Sequence, residues 1–294
     1  MSNRARKTKT GTSQRTLTAK EAQVQSDVLT GTVGMLLAVK AVWLIWQMHR
    51  FGVWPPYPLW LKASLAGSLA FAVAVRLLRS ATSPAALMGF LVCVNLLLGQ
   101  IRELRWYETP MPALMALFAL TFVATRFGRS RKERMGVAET RQGRRASQIL
   151  ANLGVAGLCS GGASPVLFAA CVAALAEATA DTVSSEMGQA LGGRTLLLTS
   201  WKEVPAGTDG GISVWGTTLG AAGAGIIVLV TAFTGRMSVE VGLVSFAAGV
   251  AGLLFDSLLG ATLERWGWLG NDWVNFASTM FAAIAGGIGM MWVS

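Results

Sequence analysis

Pro165-Val-Leu-Phe-Ala-Ala-Cys171-Val-Ala-Ala-Leu-Ala-Glu177-Ala-Thr-Ala-Asp181-Thr-Val-Ser-Ser-Glu186-Met-Gly188 is the stretch on which the reading of this chain turns. Residues 165–176 carry no ionisable group but Cys171, and then two carboxylates arrive four positions apart. On a helix that spacing sets Glu177 and Asp181 on one face, with Ser184 and Ser185 a turn further on. The run is an acidic stripe at a membrane boundary. A carboxylate at a bilayer centre costs about 2.5–3.5 kcal/mol on insertion scales, so such groups face a wet cavity, an ion or a partner charge. The plainer alternative is a helix end at which Asp181 and Glu186 reach water.

Composition supports the membrane reading. The chain has 294 residues, 53% hydrophobic and 14% charged, where a soluble domain carries about 25% charged residues. Its formal net charge is +10, but the basic residues flank apolar runs, as the positive-inside rule expects, which argues against nucleic acid as a partner. Cys93, Cys159 and Cys171 all lie inside apolar runs without C-x-x-C spacing, and the single His49 has no partner motif. Neither zinc nor a disulfide framework is indicated. Residues 1–27 are polar and basic with no apolar core, and read as a disordered cytoplasmic tail rather than a cleavable signal.

A spanning helix needs about 20 mainly apolar residues. Nine stretches qualify as candidates, near 28–48, 59–78, 84–101, 110–127, 146–161, 163–183, 211–233, 239–260 and 273–293. The expected fold is therefore all-α, a polytopic transmembrane helical bundle of about nine spans. Residues 28–127 would form a four-span scaffold, 128–145 a basic loop, and 146–294 five spans that bear the motifs. The third to sixth spans are the weakest; 146–161 is short, and Gly161-Gly-Ala-Ser is tight enough for a helical hairpin. With the N-terminus inside, nineteen Lys and Arg fall on the inner side and five on the outer, with Lys40 left within the first span. That asymmetry sets the N-terminus and the motif loops in the cytoplasm, where nucleotides are. Pro55-Pro56-Tyr57-Pro58 between Trp54 and Trp60 fits an interfacial turn. Arg126 to Arg145 holds eight basic residues against Glu133 and Glu139, a composition suited to anionic lipid head groups.

Three further segments can carry chemistry. Arg145, Gln148 and Asn152 stack at i, i+3, i+7 on one helix face, an arginine fork and two amides suited to a phosphate; ordinary interhelical hydrogen bonding uses the same residues. Gly192-Gly193-Arg194 and then Gly207-Thr208-Asp209-Gly210-Gly211-Ile-Ser213 allow backbone N–H groups to converge on an anion before a helix beginning near Ile212. No Gly-Lys-Ser/Thr closes that loop, so it is not a Walker A motif, and a glycine-rich connector with a helix cap accounts for the same letters. Asp256 follows a long uncharged run, and Asn271, Asp272 and Asn275 bring oxygen ligands opposite it. Magnesium takes one or two carboxylates together with substrate phosphates and water, and Asp181, Glu186, Asp209 and Asp256 are its candidates.

Taken in order, Arg145-x-x-Gln148-x-x-x-Asn152, Ala180-Asp181-Thr182-x-x-Ser185-Glu186-x-Gly188, Gly207-Thr208-x-Gly210-Gly211-x-Ser213-x-x-Gly216-Thr217 and Asp256-Ser257-Leu-Leu-Gly260-Ala-Thr262 resemble the signature of an integral membrane family long classed as a domain of unknown function. That family contains the plant phytyl-phosphate kinases. The motifs cover about 145–280; the preceding spans match in hydropathy alone. The resemblance implies a helical transmembrane fold and phosphoryl transfer from CTP, or another nucleoside triphosphate, to phytyl or another isoprenyl monophosphate. On that reading Asp181, Glu186 and Asp256 hold Mg2+, and the 207–213 loop with Arg194 holds the nucleotide. Arg145, Gln148 and Asn152, with Glu177, Ser185 and Asn275, take the acceptor. Two departures stand out: Asp209 where a small residue is expected, and Glu264 where a glutamine is expected. A transporter with intramembrane carboxylates, and a lipid cytidylyltransferase or phosphotransferase, are the alternative classes; the CDP-alcohol phosphotransferase pattern is absent.

Overall fold

Each of the nine apolar stretches folds as a helix. The structure, a computed structural model, describes residues 15–50, 59–77, 81–99, 105–137, 143–161, 164–235 and 237–293. In chain order the helices are α1 (Ala19–Arg50), α2 (Leu59–Leu77), α3 (Ser83–Leu98), α4 (Met111–Arg126), α5 (Arg129–Met135), α6 (Ala146–Cys159), α7 (Pro165–Leu191), α8 (Val214–Thr234), α9 (Val239–Leu259) and α10 (Asn271–Val293). By length and composition α1, α7, α8, α10 and α9 extended to Glu264 are each able to cross a membrane, and α4 with α5, across a 61° bend, makes a sixth. The expected count of about nine is thus met by helices but not by full spans. The 14 residues of α6 reach about 21 Å, short of a hydrocarbon core of about 30 Å.

The early end of α6 explains the lysine in the first apolar run. Lys40 Nζ donates to the carbonyls of Gly157 (2.6 Å), Leu158 (2.9 Å) and Ser160 at the C-terminus of α6. A helix that stops inside apolar surroundings leaves its last carbonyls without partners, and here a single ammonium supplies them.

α7 is the axis of the fold. It is buried continuously from Ala169 to Ala180, and α4, α6, α8, α9 and α10 all pack on it. Its many alanines and the facing glycines let backbones approach closely. A Cβ at Gly220 of α8 would sit 2.7 Å from the Ala180 carbonyl oxygen, and one at Gly216 would sit 2.8 Å from that of Ser184. Ser164 starts α7 by accepting from Leu167 N–H, with Pro165 in the first turn, and Gly192 ends it.

Three expectations are revised. α1 begins at Ala19, inside the tail assigned to 1–27, because Thr18 and Glu21 form a reciprocal cap: Glu21 N–H donates to Thr18 Oγ1 and Thr18 N–H to Glu21 Oε2. The basic segment 128–145 contains α5, set between the left-handed glycines Gly128 and Gly136. The glycine-rich connector is not merely loop: β1 (Thr195–Leu197), β2 (Glu203–Val204) and β3 (Gly211–Ser213) form a small antiparallel sheet in the order β2-β1-β3. The next helix starts at Val214, with Ser213 Oγ accepting from Gly216 N–H. The first fourteen residues and the aromatic turn at 54–58 lie outside the described residues.

Candidate functional site

At one end of the bundle α6, α7, α9, α10 and the small sheet enclose a polar cavity of about 330 Å³. The helical period of α7 builds its main wall. Asp181 and Ser185 follow one another at i+4, and Thr182, Glu186 and Gln189 run beside them, so consecutive turns present oxygen and amide groups to the same space. α9 brings Asp256 and Ser257 from the opposite side, and Glu264 follows from the widened turn Gly260–Glu264. Asn271 and Asn275 come from the first turns of α10, Gln148 and Asn152 from α6, and residues 206–211 and Ser213 from the sheet.

Asp181 of α7 and Asp256 of α9 line the cavity together with Glu186, Asp209 and Glu264. Ser278 Oγ donates to Asp256 Oδ2 at 3.1 Å, which fixes that carboxylate from α10. Glu177, one turn below Asp181, does not line the cavity. It is 1% exposed, and neither of its carboxylate oxygens has a hydrogen-bond partner among the described residues. The glycines of α9 make room for it, since a Cβ at Gly252 would sit 2.5 Å from Glu177 Cγ. A buried polar group without a partner costs on the order of 1–3 kcal/mol and more when charged.

Glu186 does line the cavity, but it is already paired. Lys132 of α5, 1% exposed, donates to Glu186 and to the carbonyls of Ala124 (3.1 Å) and Thr125 (2.8 Å) at the end of α4. One ammonium therefore closes the α4–α5 corner and neutralises the carboxylate. The sequence carried no sign of this partner, because Lys132 lies 54 positions away in a run of arginines.

The arginine at the cavity is Arg144, not Arg145. Arg145 is the residue before the first turn of α6, and its guanidinium pairs with Asp272 at 3.5 Å. Asp272 also accepts from Ser26 Oγ at 2.7 Å, so this pair ties α1, α6 and α10 together behind the site. Gln148 Oε1 caps α6 by accepting from Arg145 N–H at 2.8 Å, which leaves its amide N–H2 as the end available to a ligand. Asn152 Nδ2 donates to the Gln148 carbonyl. Arg194 is turned away from the cavity and pairs with Glu203 at 3.1 Å.

The glycine-rich segment is held against α9. Gly211 N–H donates to the Thr208 carbonyl at 2.9 Å, closing a tight turn over Asp209 and Gly210. Gly210 has φ +72°, and a Cβ there would run into the backbone of Ala261, so position and conformation both require glycine. Asp209 opens onto the cavity, but the wall on its other side desolvates the carboxyl and lifts it above the ordinary aspartate value, with nearby Arg265 offsetting part of the rise.

Among the described residues no three His, Cys, Asp or Glu side chains already converge as a metal-ligand set. Two carboxylates facing an open polar space nevertheless match the protein share of a magnesium site that is completed by phosphate and water.

The chain is 36% identical to an uncharacterized membrane protein of Synechocystis over 60% of this chain and 72% of that one. It is 30% identical to the chloroplastic protein VTE6 of Arabidopsis thaliana over 77% of this chain and 71% of that one. To an uncharacterized membrane protein of Methanocaldococcus jannaschii it is 34% identical, over 59% and 73% of the two chains. No solved structure matches it. The profile of the integral membrane protein family DUF92 matches residues 66–283, which takes in all four sequence motifs and the whole cavity, and the chain belongs to that family.

Proposed function

We propose that this protein is a membrane phosphotransferase that uses CTP, or another nucleoside triphosphate, to convert an isoprenyl monophosphate such as phytyl phosphate to the diphosphate. The observation that carries the reading is the convergence on one cavity of Asp181, Asp256, the 206–211 turn and the Arg144–Gln148–Asn152 corner. The family resemblance to phytyl-phosphate kinases and the relatedness to VTE6 support it. The excess of Lys and Arg on one side supports a cavity that opens to the cytoplasm.

The chemistry suits the residues. A phosphate monoester is largely ionised at neutral pH, its second pKa being about 6, so an acceptor oxygen needs no strong base to attack the terminal phosphorus of the donor. The bond from that phosphorus to its bridging oxygen breaks, and the nucleoside diphosphate leaves with the electron pair. The task left to the protein is to hold two polyanions in line. In this assignment the backbone N–H groups of Asp209 and Gly210, at the tip of the turn, grip the donor phosphates, and Arg144 with the amides of Gln148 and Asn152 orients the acceptor. Asp181 and Asp256 would hold magnesium, which when bound would neutralise charge between donor and acceptor. Glu186, spoken for by Lys132, fixes α5 beside the site.

Purified protein in detergent, given labelled CTP, Mg2+ and phytyl monophosphate, is expected to yield phytyl diphosphate and CDP in equal amounts. Pyrophosphate or CMP as the nucleotide product would instead assign a cytidylyltransferase or phosphotransferase. Transport of a solute into liposomes without nucleotide would assign a transporter.

A further inference from the structure

Five helices surround α7, and they touch one another in sequence around it: α4 meets α8, α8 meets α9, α9 meets α10 and α10 meets α6. The ring fails to close at one place. α4 and α6 each pack along α7 but have almost no contact with one another. Behind this break stands α3, which packs well on α6 and only lightly on α4.

The break is chemically divided. A narrow apolar seam enters it, walled by Leu117 and Phe118 of α4, Ile149 and Leu153 of α6 and Ala178 of α7. Arg144, Gln148, Asn152 and Thr182 border both this seam and the polar cavity, so the two spaces adjoin across these four side chains. On the far side Phe118 packs against Phe71 of α2, the rings tilted by 53° with 5.2 Å between centroids, and Phe71 is exposed on the surface of the bundle. A path therefore runs from charged and amide groups, past aliphatic side chains, to an aromatic pair on the apolar exterior. As it stands the seam holds only about 10 Å³ of free space, no more than the least that one water requires, so an occupant must part α4 from α6.

We propose that this α4–α6 seam is the lateral entry and binding site for the hydrocarbon tail of the phosphorylated lipid, with its phosphate at the Arg144–Gln148–Asn152 corner. This rests on the phosphotransferase reading and adds to it the route of the acceptor and the residues that measure its chain. An isoprenyl monophosphate fits because it is a single flexible apolar chain bearing one anionic end, and the site is a single slot with one cationic end. A two-chain phospholipid would demand a wider breach of the ring. Phe118 is the gate, being half-buried at the break between α4 and α6, and Leu153 sets the depth.

The test compares phytyl and dimethylallyl monophosphate as acceptors for wild type, Phe118→Trp and Leu153→Phe, with Met115→Trp, on the exposed face of α4, as the control for added bulk. Narrowing the seam is expected to lower the kcat/KM ratio of the long over the short acceptor by about tenfold or more, and the control keeps the wild-type ratio. An unchanged ratio in both seam variants, or an equal loss with both acceptors, overturns the proposal. A second measurement needs no turnover: in a Cys159→Ala background, maleimide labelling of Phe118→Cys is expected to be blocked by phytyl phosphate and not by inorganic phosphate. Protection without any phosphoryl transfer in wild type would sustain the seam and defeat the kinase reading. Transfer without protection, and with an unaltered ratio, would do the reverse.

Discussion

Replacing Lys132 by methionine removes an ammonium that is 1% exposed and leaves its stem volume in place. Three acceptors lose their donor: the Glu186 carboxylate and the carbonyls of Ala124 and Thr125. Breaking a buried ion pair by removing one partner costs about 3–5 kcal/mol. The Glu186 side chain is 16% exposed and borders the polar cavity, so water reaches the orphaned carboxylate and the lower figure, about 3 kcal/mol, applies. At about 2–4 °C per kcal/mol for a chain of this size, the midpoint of thermal unfolding falls by about 6–12 °C. Glu186→Gln alone costs less, since Lys132 keeps both carbonyls. The double variant Lys132→Met/Glu186→Gln is expected to recover the part of the loss that belongs to the ion pair, because removing both charges leaves no uncompensated ion, while the Ala124 and Thr125 carbonyls still lack their donor. Thermal unfolding in detergent, followed by intrinsic tryptophan fluorescence, measures the four corners of the cycle. Additive effects, with the double variant as poor as the sum of the singles, would refute the claim that Lys132 has taken Glu186 out of the metal-binding set.

Three other outcomes follow from the same geometry. Asp209 has a raised folded-state value, so its contribution to stability is full below the ordinary 3.8 and is lost as pH rises through that raised value; Asp209→Asn is therefore expected to unfold at a higher temperature than wild type at neutral pH and at the same temperature below about pH 3.8, and a gap that widens toward acid would contradict this. Gly210→Ala must accept a left-handed backbone and a collision with Ala261, a cost of about 1–3 kcal/mol for the backbone alone, so the thermal shift produced by CTP should vanish; wild-type stability and an intact shift would show that the turn does not sit where described. Glu177→Gln replaces a buried carboxyl whose oxygens have no hydrogen-bond partner among the described residues and, because Glu177 does not line the cavity, is expected to raise the stability of the ligand-free protein while leaving stabilisation by Mn2+ intact; a loss of stability without ligand would mean that Glu177 has a partner after all.

The features that the sequence revealed are those carried by local periodicity. Apolar runs marked the nine helices, and of the i, i+4 pair Glu177 and Asp181 that the spacing set on one face of α7, Asp181 reaches the cavity and Glu177 does not. Residues 207–211 and Asp256, which the motifs singled out, also line the cavity. Hidden were the features that depend on how distant surfaces meet. Arg144 and Arg145 are adjacent letters, and only the start of α6 at Ala146 decides that Arg145 turns to Asp272 while Arg144 faces the cavity. Lys132 looked like one more basic residue of a lipid-facing loop, because burial is not written in its neighbours. The three short strands have too few residues for an alternating pattern, and the glycines that end them resemble any connector. Lys40 was visible as an anomaly in the first apolar run, but its use depends on where α6 stops, which length alone left open.

The measurement that bears most directly on the central claim is transfer of the terminal phosphoryl group from labelled nucleotide to phytyl monophosphate by wild type, Asp181→Asn and Asp256→Asn, with Mn2+ binding measured on the same preparations. Wild type should transfer and should bind the ion more tightly in the presence of CTP; each variant should lose at least a hundredfold in rate, equivalent to about 2.7 kcal/mol of transition-state stabilisation, together with the CTP-dependent ion binding. Full turnover by either variant, or unaltered ion binding in both, would show that the acidic pair where α7 and α9 face each other is not the metal-holding centre of a phosphotransferase.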